Sequence, residues 1–196
     1  MNDRLGRQIA FIREVDKLKT IFRQTYLMDA ARHENDAEHS WHIALMAWLL
    51  EEHRGPEKLD VLRVMKMLLI HDIVEIDAGD TFAYDVQGHE NQFERERQAA
   101  VRIFGLLPSD QSAEMMELWL EFEQRETAEA RYAAAMDRIQ PLLHNYYTEG
   151  KAWREHRVTS GRVLERIRFL EREMPELHAF VAGLIDDAVK QGYLLP

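Results

Sequence analysis

Apolar residues recur at intervals of three and four along nearly the whole of this 196-residue chain. This spacing places them on one face of an α-helix, which has 3.6 residues per turn. Proline and glycine are scarce, and no segment alternates between apolar and polar residues as a half-buried strand does. The pattern predicts an all-α fold. Because 46% of the residues are hydrophobic, the chain can bury one sizeable core, so we expect a single domain over residues 1–196.

The same pattern locates the predicted helices. The first has an apolar side made of Ile9, Ile12, Val15, Leu18 and Ile21-Phe22. An irregular stretch from Gln24 to Asn35 follows, and Asp36 is expected to cap a second helix that ends near His53. A third helix, from about 57 to 75, is apolar nearly all round near its end, which predicts a central place in the core. Further helices are expected at about 90–104, 109–123 and 128–147 and in the C-terminal region, with a loop at 77–88.

Charge and composition argue against several classes of function. Thirty-five acidic residues against 25 basic ones give a formal net charge of −10, which argues against broad binding to nucleic acids or to an anionic membrane surface. The chain has no cysteine, so a bound metal would need His, Asp or Glu ligands. Charged residues interrupt the N-terminal segment every few positions, so we predict neither a signal peptide nor a membrane span. We therefore expect a cytoplasmic location.

The dipeptide His71-Asp72 ends the apolar run from Val64 to Ile70, where the helix pattern predicts burial. An unpaired polar or charged group costs several kcal/mol to bury, so a metal ion is the simplest explanation for the pair. In a straight α-helix Glu75 shares a face with His71, whereas Asp72 points about 100° away. Spacing alone therefore does not show that His71 and Asp72 converge.

Two further candidates lie elsewhere in the chain. His39 falls in the first turn of the second predicted helix, and Asp137 follows the small residues Ala133 to Ala135, which suggest close helix packing. Each has an ordinary explanation as well. A buried histidine is often satisfied by a backbone carbonyl, and Asp137 could form a surface ion pair with Arg138 or Arg131.

Taken in order, these residues resemble the HD-domain metal-dependent phosphohydrolases. More narrowly, the chain is similar to the short HD proteins grouped with the 5′-deoxynucleotidases. The shared motifs are Arg32-x-Glu34-Asn35, Ala37-Glu38-His39-Ser40, His71-Asp72-x-x-Glu75, Gly79-Asp80, Trp119-x-Glu121-Phe122-Glu123 and Asp137-Arg138. They cover about residues 8–150 and leave a C-terminal helical extension at about 151–196.

The resemblance implies a helical HD-domain bundle with a metal site between core helices. By resemblance, His39, His71, Asp72 and Asp137 hold one divalent ion. Two imidazoles and two carboxylates suit Mn, Co, Fe or Ni, among which ligand identity does not choose, and magnesium is less natural with two histidines.

The resemblance also implies substrate contacts. Glu75 is assigned as the general acid/base, although an exposed carboxylate at a helix end is the ordinary explanation for such a residue. Arg23 is expected to orient the substrate phosphate and Asp80 to contact the nucleoside sugar, with Asp72 and Asp137 also facing the substrate.

The sequence departs from the family pattern after Arg23. The related enzymes follow this arginine closely with an aromatic residue, where this chain has Gln24-Thr25-Tyr26. The choice of substrate is therefore open. Trp119 and Phe122 are expected to pack in the core rather than to stack on a base.

The leading hypothesis is a phosphohydrolase that acts on the phosphomonoester of (deoxy)nucleoside 5′-monophosphates through a metal-activated water. Its partners would be a small-molecule nucleotide and, by family resemblance, a second copy in a homodimer. Another nucleotide phosphohydrolase of the superfamily is the first rival hypothesis. Alarmone hydrolases carry His-Asp-x-x-Glu-Asp, but Ile76 follows Glu75 here, and triphosphohydrolases are usually longer. Two non-enzymatic functions also stay open, namely a metal- or nucleotide-binding regulator and a purely structural helical adaptor.

Overall fold

The computed structural model describes residues 3–56, 58–85, 88 and 90–196. The prediction of an all-α fold is confirmed, apart from one short two-stranded sheet. The helices are α1 (Asp3–Val15), α2 (Asp36–Leu49), α3 (Val61–Ile70), α4 (Glu75–Ala78), α5 (Gln92–Phe104), α6 (Ser109–Gln124), α7 (Ala128–Tyr147), α8 (Lys151–Glu155), α9 (Ser160–Ile167), α10 (Leu170–Glu173) and α11 (Pro175–Gln191). Turns of 3₁₀-helix cover Asp16–Thr20, Glu51–His53 and His71–Val74.

Helices α2, α3, α6 and α7 enclose the centre of the core. Val64, Met67 and Leu68 of α3 are fully buried, which confirms the central place predicted for this helix. Trp119 and Phe122 are also buried, as predicted. Among the described residues, no helix has both the length and the apolar character needed to span a membrane.

The predicted irregular stretch from Gln24 to Asn35 contains a hairpin instead. Strand β1 (Phe22–Tyr26) pairs antiparallel with β2 (His33–Asn35), with a break in register between Phe22 and Tyr26. Strands of five and three residues are too short to show a clear alternation, and the irregular register disrupts the period of two. The hairpin leads directly into α2, so it places its side chains beside the first turn of that helix.

Asn35, rather than Asp36, caps α2. The Asn35 side chain accepts a hydrogen bond from the Glu38 backbone N–H (3.0 Å), and the Glu38 carboxylate accepts one from the Asn35 backbone N–H (3.2 Å). Both Asn and Asp favour the cap position, but this reciprocal capping box needs a Glu three residues later, and Glu38 lies three residues after Asn35. Asp36 is therefore the first helical residue, and its fully buried carboxylate is available to the interior.

The predicted third helix is shorter and changes its winding. Asp60 caps α3 by accepting a hydrogen bond from the Arg63 backbone N–H (3.1 Å), and α3 ends at Ile70. The next four residues form a 3₁₀ turn before α4 begins at Glu75. Because a 3₁₀ turn has about three residues per turn, the α-helical spacing that places His71 and Glu75 on one face does not apply here.

The predicted apolar side of the first helix is wrong for Ile9 and Ile12, although Val15 and Leu18 do pack against the core. Phe11 is buried, whereas Ile9 and Ile12 are 48% and 61% exposed. The α-helix ends at Val15, and Leu18 is buried within the following 3₁₀ turn. Ile9 and Ile12 lie within α1, before the winding changes, so the core packs against a different face of this helix, the one that carries Phe11.

Candidate metal centre

The structure brings together the four side chains that the family resemblance names as metal ligands. His39 Nε2 lies 3.1 Å from Asp137 Oδ1 and 3.9 Å from Asp72 Oδ2. His71 Nε2 lies 3.0 Å from Asp72 Oδ1 and 3.7 Å from Asp137 Oδ1. These residues come from α2, the 3₁₀ turn after α3, and α7. Ligand atoms of His39, His71 and Asp137 lie within 4.8 Å of one another, and Asp72 lies beside them with its oxygen grouped with those of Asp36 and Glu75.

The electrostatics at this point favour a positive charge. Burial and Arg23 oppose protonation of His39, but attraction to the Asp137 and Glu34 carboxylates outweighs them and raises its pKa to about 9. Burial alone would raise the pKa of Asp137, yet the two imidazoles hold it well below its usual range. His71 Nε2 is buried without a hydrogen-bond partner in the described part of the chain. This set of two nitrogen and two oxygen donors fits a divalent transition-metal ion.

Arg23 lies against the carboxylates rather than in an open position. Its Nη1 donates a hydrogen bond to Asp72 Oδ2 (2.8 Å) and lies 3.5 Å from Asp36 Oδ1. Asp36, Asp72 and Glu75 have oxygens within 4.8 Å of one another, so the guanidinium offsets the repulsion between them. The structure therefore shows Arg23 paired with a predicted metal ligand, and its contact with a phosphate stays a prediction.

Glu75 is buried, so the ordinary explanation of an exposed carboxylate at a helix end is wrong. Burial raises its pKa well above the usual range, and the nearby carboxylates Asp72, Asp36 and Asp80 raise it further. Burial and Asp72 likewise raise the pKa of Asp36 to about 7. Glu75 therefore keeps its proton more readily than an ordinary carboxyl group does, which is a property that a general acid needs.

A cavity of about 480 Å³ opens beside these residues. Its lining includes Arg23, His71, Asp72, Glu75, Asp80 and Asp137. The loop after α4 and the C-terminal helices also line it, through Phe82, Tyr84, Trp153, Val163 and Ile167. This volume is typical of sites for small molecules. The C-terminal region, which carries no motif, therefore forms part of the pocket.

A family model for the HD domain matches residues 15–178 of the chain. The chain belongs to the HD domain family. The match runs from the end of α1 into α11, so it includes the C-terminal helices that line the cavity and extends beyond the motif-bearing stretch at about 8–150.

This HD-domain chain is similar in sequence to proteins named 5′-deoxynucleotidases. It is 31% identical over 136 residues to human 5′-deoxynucleotidase HDDC2, covering 69% of this chain and 65% of that relative. It is 26% identical to the 5′-deoxynucleotidase hdd1 of Schizosaccharomyces pombe, covering 73% of each. The match therefore spans less than two thirds of the length of the human relative.

Two solved structures are also similar to this chain. A crystal structure of a predicted metal-dependent phosphohydrolase from Magnetospirillum magnetotacticum is 56% identical, with a TM-score of 0.93, and the match covers 99% of this chain and 97% of that one. An HD-domain phosphohydrolase from Listeria innocua is 16% identical, with a TM-score of 0.68 over 94% of this chain and 90% of that one, which shows a shared fold.

Three residues of this HD domain were not predicted from the sequence as site residues, namely Glu34, Gln140 and His144. They form a buried group behind His39, on the side away from Asp72. The signals were weak but present, because Gln140 and His144 follow Asp137 at helical spacing and Glu34 belongs to a shared motif. An isolated buried Gln or His gives no indication of its partners, so only the packed structure connects them.

Without a bound metal, the HD domain should lose stability as the pH rises from about 6.5 to about 9. His39 has a raised pKa of about 9 when folded, against 6.5 for an ordinary histidine, so its stabilising protonation is complete below pH 6.5 and is lost towards pH 9. The difference between these two pKa values corresponds to roughly 3 kcal/mol in the free energy of unfolding. The raised pKa of Asp36 acts in the same direction up to about pH 7, because its proton is also lost on unfolding.

Thermal unfolding in the presence of a chelator across this pH range measures the effect. The Asp137→Asn variant, which removes the carboxylate that stabilises the imidazolium, should show a smaller fall in Tm. A Tm of the unsubstituted protein that stays constant or rises from pH 6.5 to 9 would contradict the expectation.

Proposed function

We propose that this HD-domain protein is a metal-dependent enzyme that hydrolyses the phosphomonoester of (deoxy)nucleoside 5′-monophosphates. The observation that carries the proposal is the convergence of His39, His71, Asp72 and Asp137 beside the buried Glu75, next to a cavity of about 480 Å³. The relatives named 5′-deoxynucleotidases support the choice of substrate class.

In this proposal His39, His71, Asp72 and Asp137 are the ligands of one divalent ion, drawn from Mn, Co, Fe and Ni. When bound, such an ion polarises a phosphoryl oxygen and lowers the pKa of a bound water. The choice among the four metals and the homodimeric state stay predictions.

The residues of the chain divide the remaining work. Glu75 takes a proton from the attacking water or gives one to the O5′ of the nucleoside as the P–O bond breaks. Arg23 holds Asp72 in place through its hydrogen bond, and it lines the cavity, where a phosphate oxygen could reach the guanidinium. Asp80 lines the same cavity and is the proposed contact of the sugar hydroxyl.

Other residues that line the cavity suit an anionic, partly aromatic ligand. Arg125, Arg138 and Arg166 all line it, and burial together with its two cationic neighbours lowers the pKa of Arg138 to about 10. Phe82 and Tyr84 of the loop give the wall apolar surface. A nucleotide combines the negative charge and the flat ring that these groups complement.

The test is release of inorganic phosphate from a panel of ribo- and deoxyribonucleoside 5′-monophosphates, with Mn²⁺ or Co²⁺ added to metal-free protein. We expect turnover of monophosphates that depends on the metal and stops when a chelator is added. Faster release from a triphosphate or an alarmone would transfer the assignment to another nucleotide phosphohydrolase. Binding of metal and nucleotide without turnover would indicate a regulator, and an absence of metal binding would favour a structural adaptor.

A further inference from the structure

The carboxamide of Gln140 lies at the centre of the buried group behind His39. Its Oε1 is 3.1 Å from His39 Nδ1, and its Nε2 donates a hydrogen bond to Glu34 Oε1 (2.6 Å). Gln140 and His39 are fully buried, and Glu34 is 1% exposed. Because water does not reach these buried atoms, each polar atom must find its hydrogen-bond partner within the group.

The same amide nitrogen reaches His144. Gln140 Nε2 lies 3.0 Å from His144 Nε2, and His144 Nδ1 lies 2.9 Å from the backbone carbonyl of Tyr26 in β1. A carbonyl only accepts hydrogen bonds, so Nδ1 of His144 carries a proton and donates it. In the neutral ring Nε2 is then an acceptor, and it receives a hydrogen bond from the Gln140 amide.

These contacts allow only one orientation of the Gln140 carboxamide. If the amide were flipped, its oxygen would face the Glu34 carboxylate at the 2.6 Å position and the acceptor nitrogen of His144, and both contacts would be repulsive. With Oε1 directed at His39, the Nδ1 of His39 must be the donor. A neutral His39 then has its lone pair on Nε2, the nitrogen that faces Asp137 and Asp72.

We propose that Gln140 is a positioning residue that fixes the tautomer and the ring orientation of His39 for metal binding, and that Glu34 and His144 hold the carboxamide in its orientation. The proposal rests on the proposed role of His39 as a metal ligand. It also connects the metal centre to the hairpin that carries Arg23, because the chain of hydrogen bonds ends at the Tyr26 carbonyl. A ligand histidine commonly uses its second nitrogen in this way.

Titration of metal-free protein with Co²⁺ tests the role of Gln140. Gln140→Met keeps the length of the side chain but removes its hydrogen bonds, and we expect Co²⁺ binding to weaken roughly 10- to 100-fold. Gln111→Met is the matched control, because Gln111 accepts a hydrogen bond from Gln8 far from the metal centre, and its Co²⁺ affinity should match that of the unsubstituted protein. His144→Phe should weaken binding less than Gln140→Met, but in the same direction.

A spectroscopic readout separates positioning from a general loss of structure. In protein loaded with diamagnetic Zn²⁺, nitrogen-15 NMR should show a slowly exchanging Nδ1–H on His39. Gln140→Met should lose this protection, whereas Gln140→Glu, which keeps an acceptor oxygen, should retain the signal even though repulsion from Glu34 lowers its Tm. Because His144→Phe leaves Gln140 itself intact, it provides the same comparison if the Gln140 variants do not fold.

Each remaining outcome has a definite meaning. One Co²⁺ per chain with unchanged affinity and an unchanged Nδ1–H in Gln140→Met would overturn the positioning role and leave the proposed function intact. Absence of Co²⁺ binding by the unsubstituted protein would overturn both. Two Co²⁺ per chain, one of them lost in His42→Phe, would overturn the positioning role, since Glu34, His42 and His144 would then be metal ligands themselves.

Discussion

Replacing Asp137 by asparagine is expected to weaken binding of Co²⁺ or Mn²⁺ by roughly 100- to 3000-fold, with a parallel loss of phosphate release. The Asp137 carboxylate lies within 3.1 Å of His39 Nε2 and 3.7 Å of His71 Nε2. Removing one partner from a buried charged group costs about 3–5 kcal/mol, and each 1.4 kcal/mol is a factor of ten. The substitution preserves shape, so the loss reports the charge and the donor oxygen.

Asp77→Asn is the matched control for this change. Asp77 is a partly exposed carboxylate paired with Arg102 at the surface, and it lies two residues after Glu75. Its loss should leave metal affinity and turnover unchanged. Metal titration of both variants, with circular dichroism to verify folding, makes the comparison. Metal affinity in Asp137→Asn equal to that of Asp77→Asn would show that Asp137 is not a ligand.

Glu75→Gln is expected to lower turnover by roughly 100- to 10,000-fold while metal affinity stays within a few-fold of the original. The amide has nearly the shape of the carboxyl group but cannot exchange a proton. Since Glu75 is crowded by Asp36, Asp72 and Asp80, the neutral amide also removes repulsion, and we expect Tm at pH 8 to rise. Lost turnover together with higher stability would be the signature of a catalytic acid/base.

The Asp36→Asn variant tests whether Glu75 transfers a proton or acts only through its charge. Asp36 is fully buried beside Glu75 and raises the pKa of that carboxyl. Its replacement should shift the pH profile of turnover to lower pH by lowering the pKa of Glu75, with a smaller loss of maximal rate than in Glu75→Gln. Equal maximal rates in Glu75→Gln and the unsubstituted protein would exclude Glu75 as the acid/base.

The sequence predicted the helices well where the apolar spacing is regular and local. The spans of α5, α6 and α7 agree with the predicted ranges to within a few residues, because amphipathic periodicity is a property of consecutive residues. Where the winding changes, as after Val15 and Ile70, the same rule failed. The chemical candidates His39, His71, Asp72, Glu75 and Asp137 could be named because their motifs are short and ordered.

The convergence of these side chains could be decided only by tertiary structure. His39 and Asp137 are 98 positions apart, and their contact depends on how α2 and α7 pack around α3. The raised pKa of Glu75, the network around Gln140 and the C-terminal wall of the cavity depend on the same packing. Sequence thus determined which chemical groups the chain carries and which local helices hold them. Packing of distant elements determined which groups meet, because burial and hydrogen bonding act between neighbours in space.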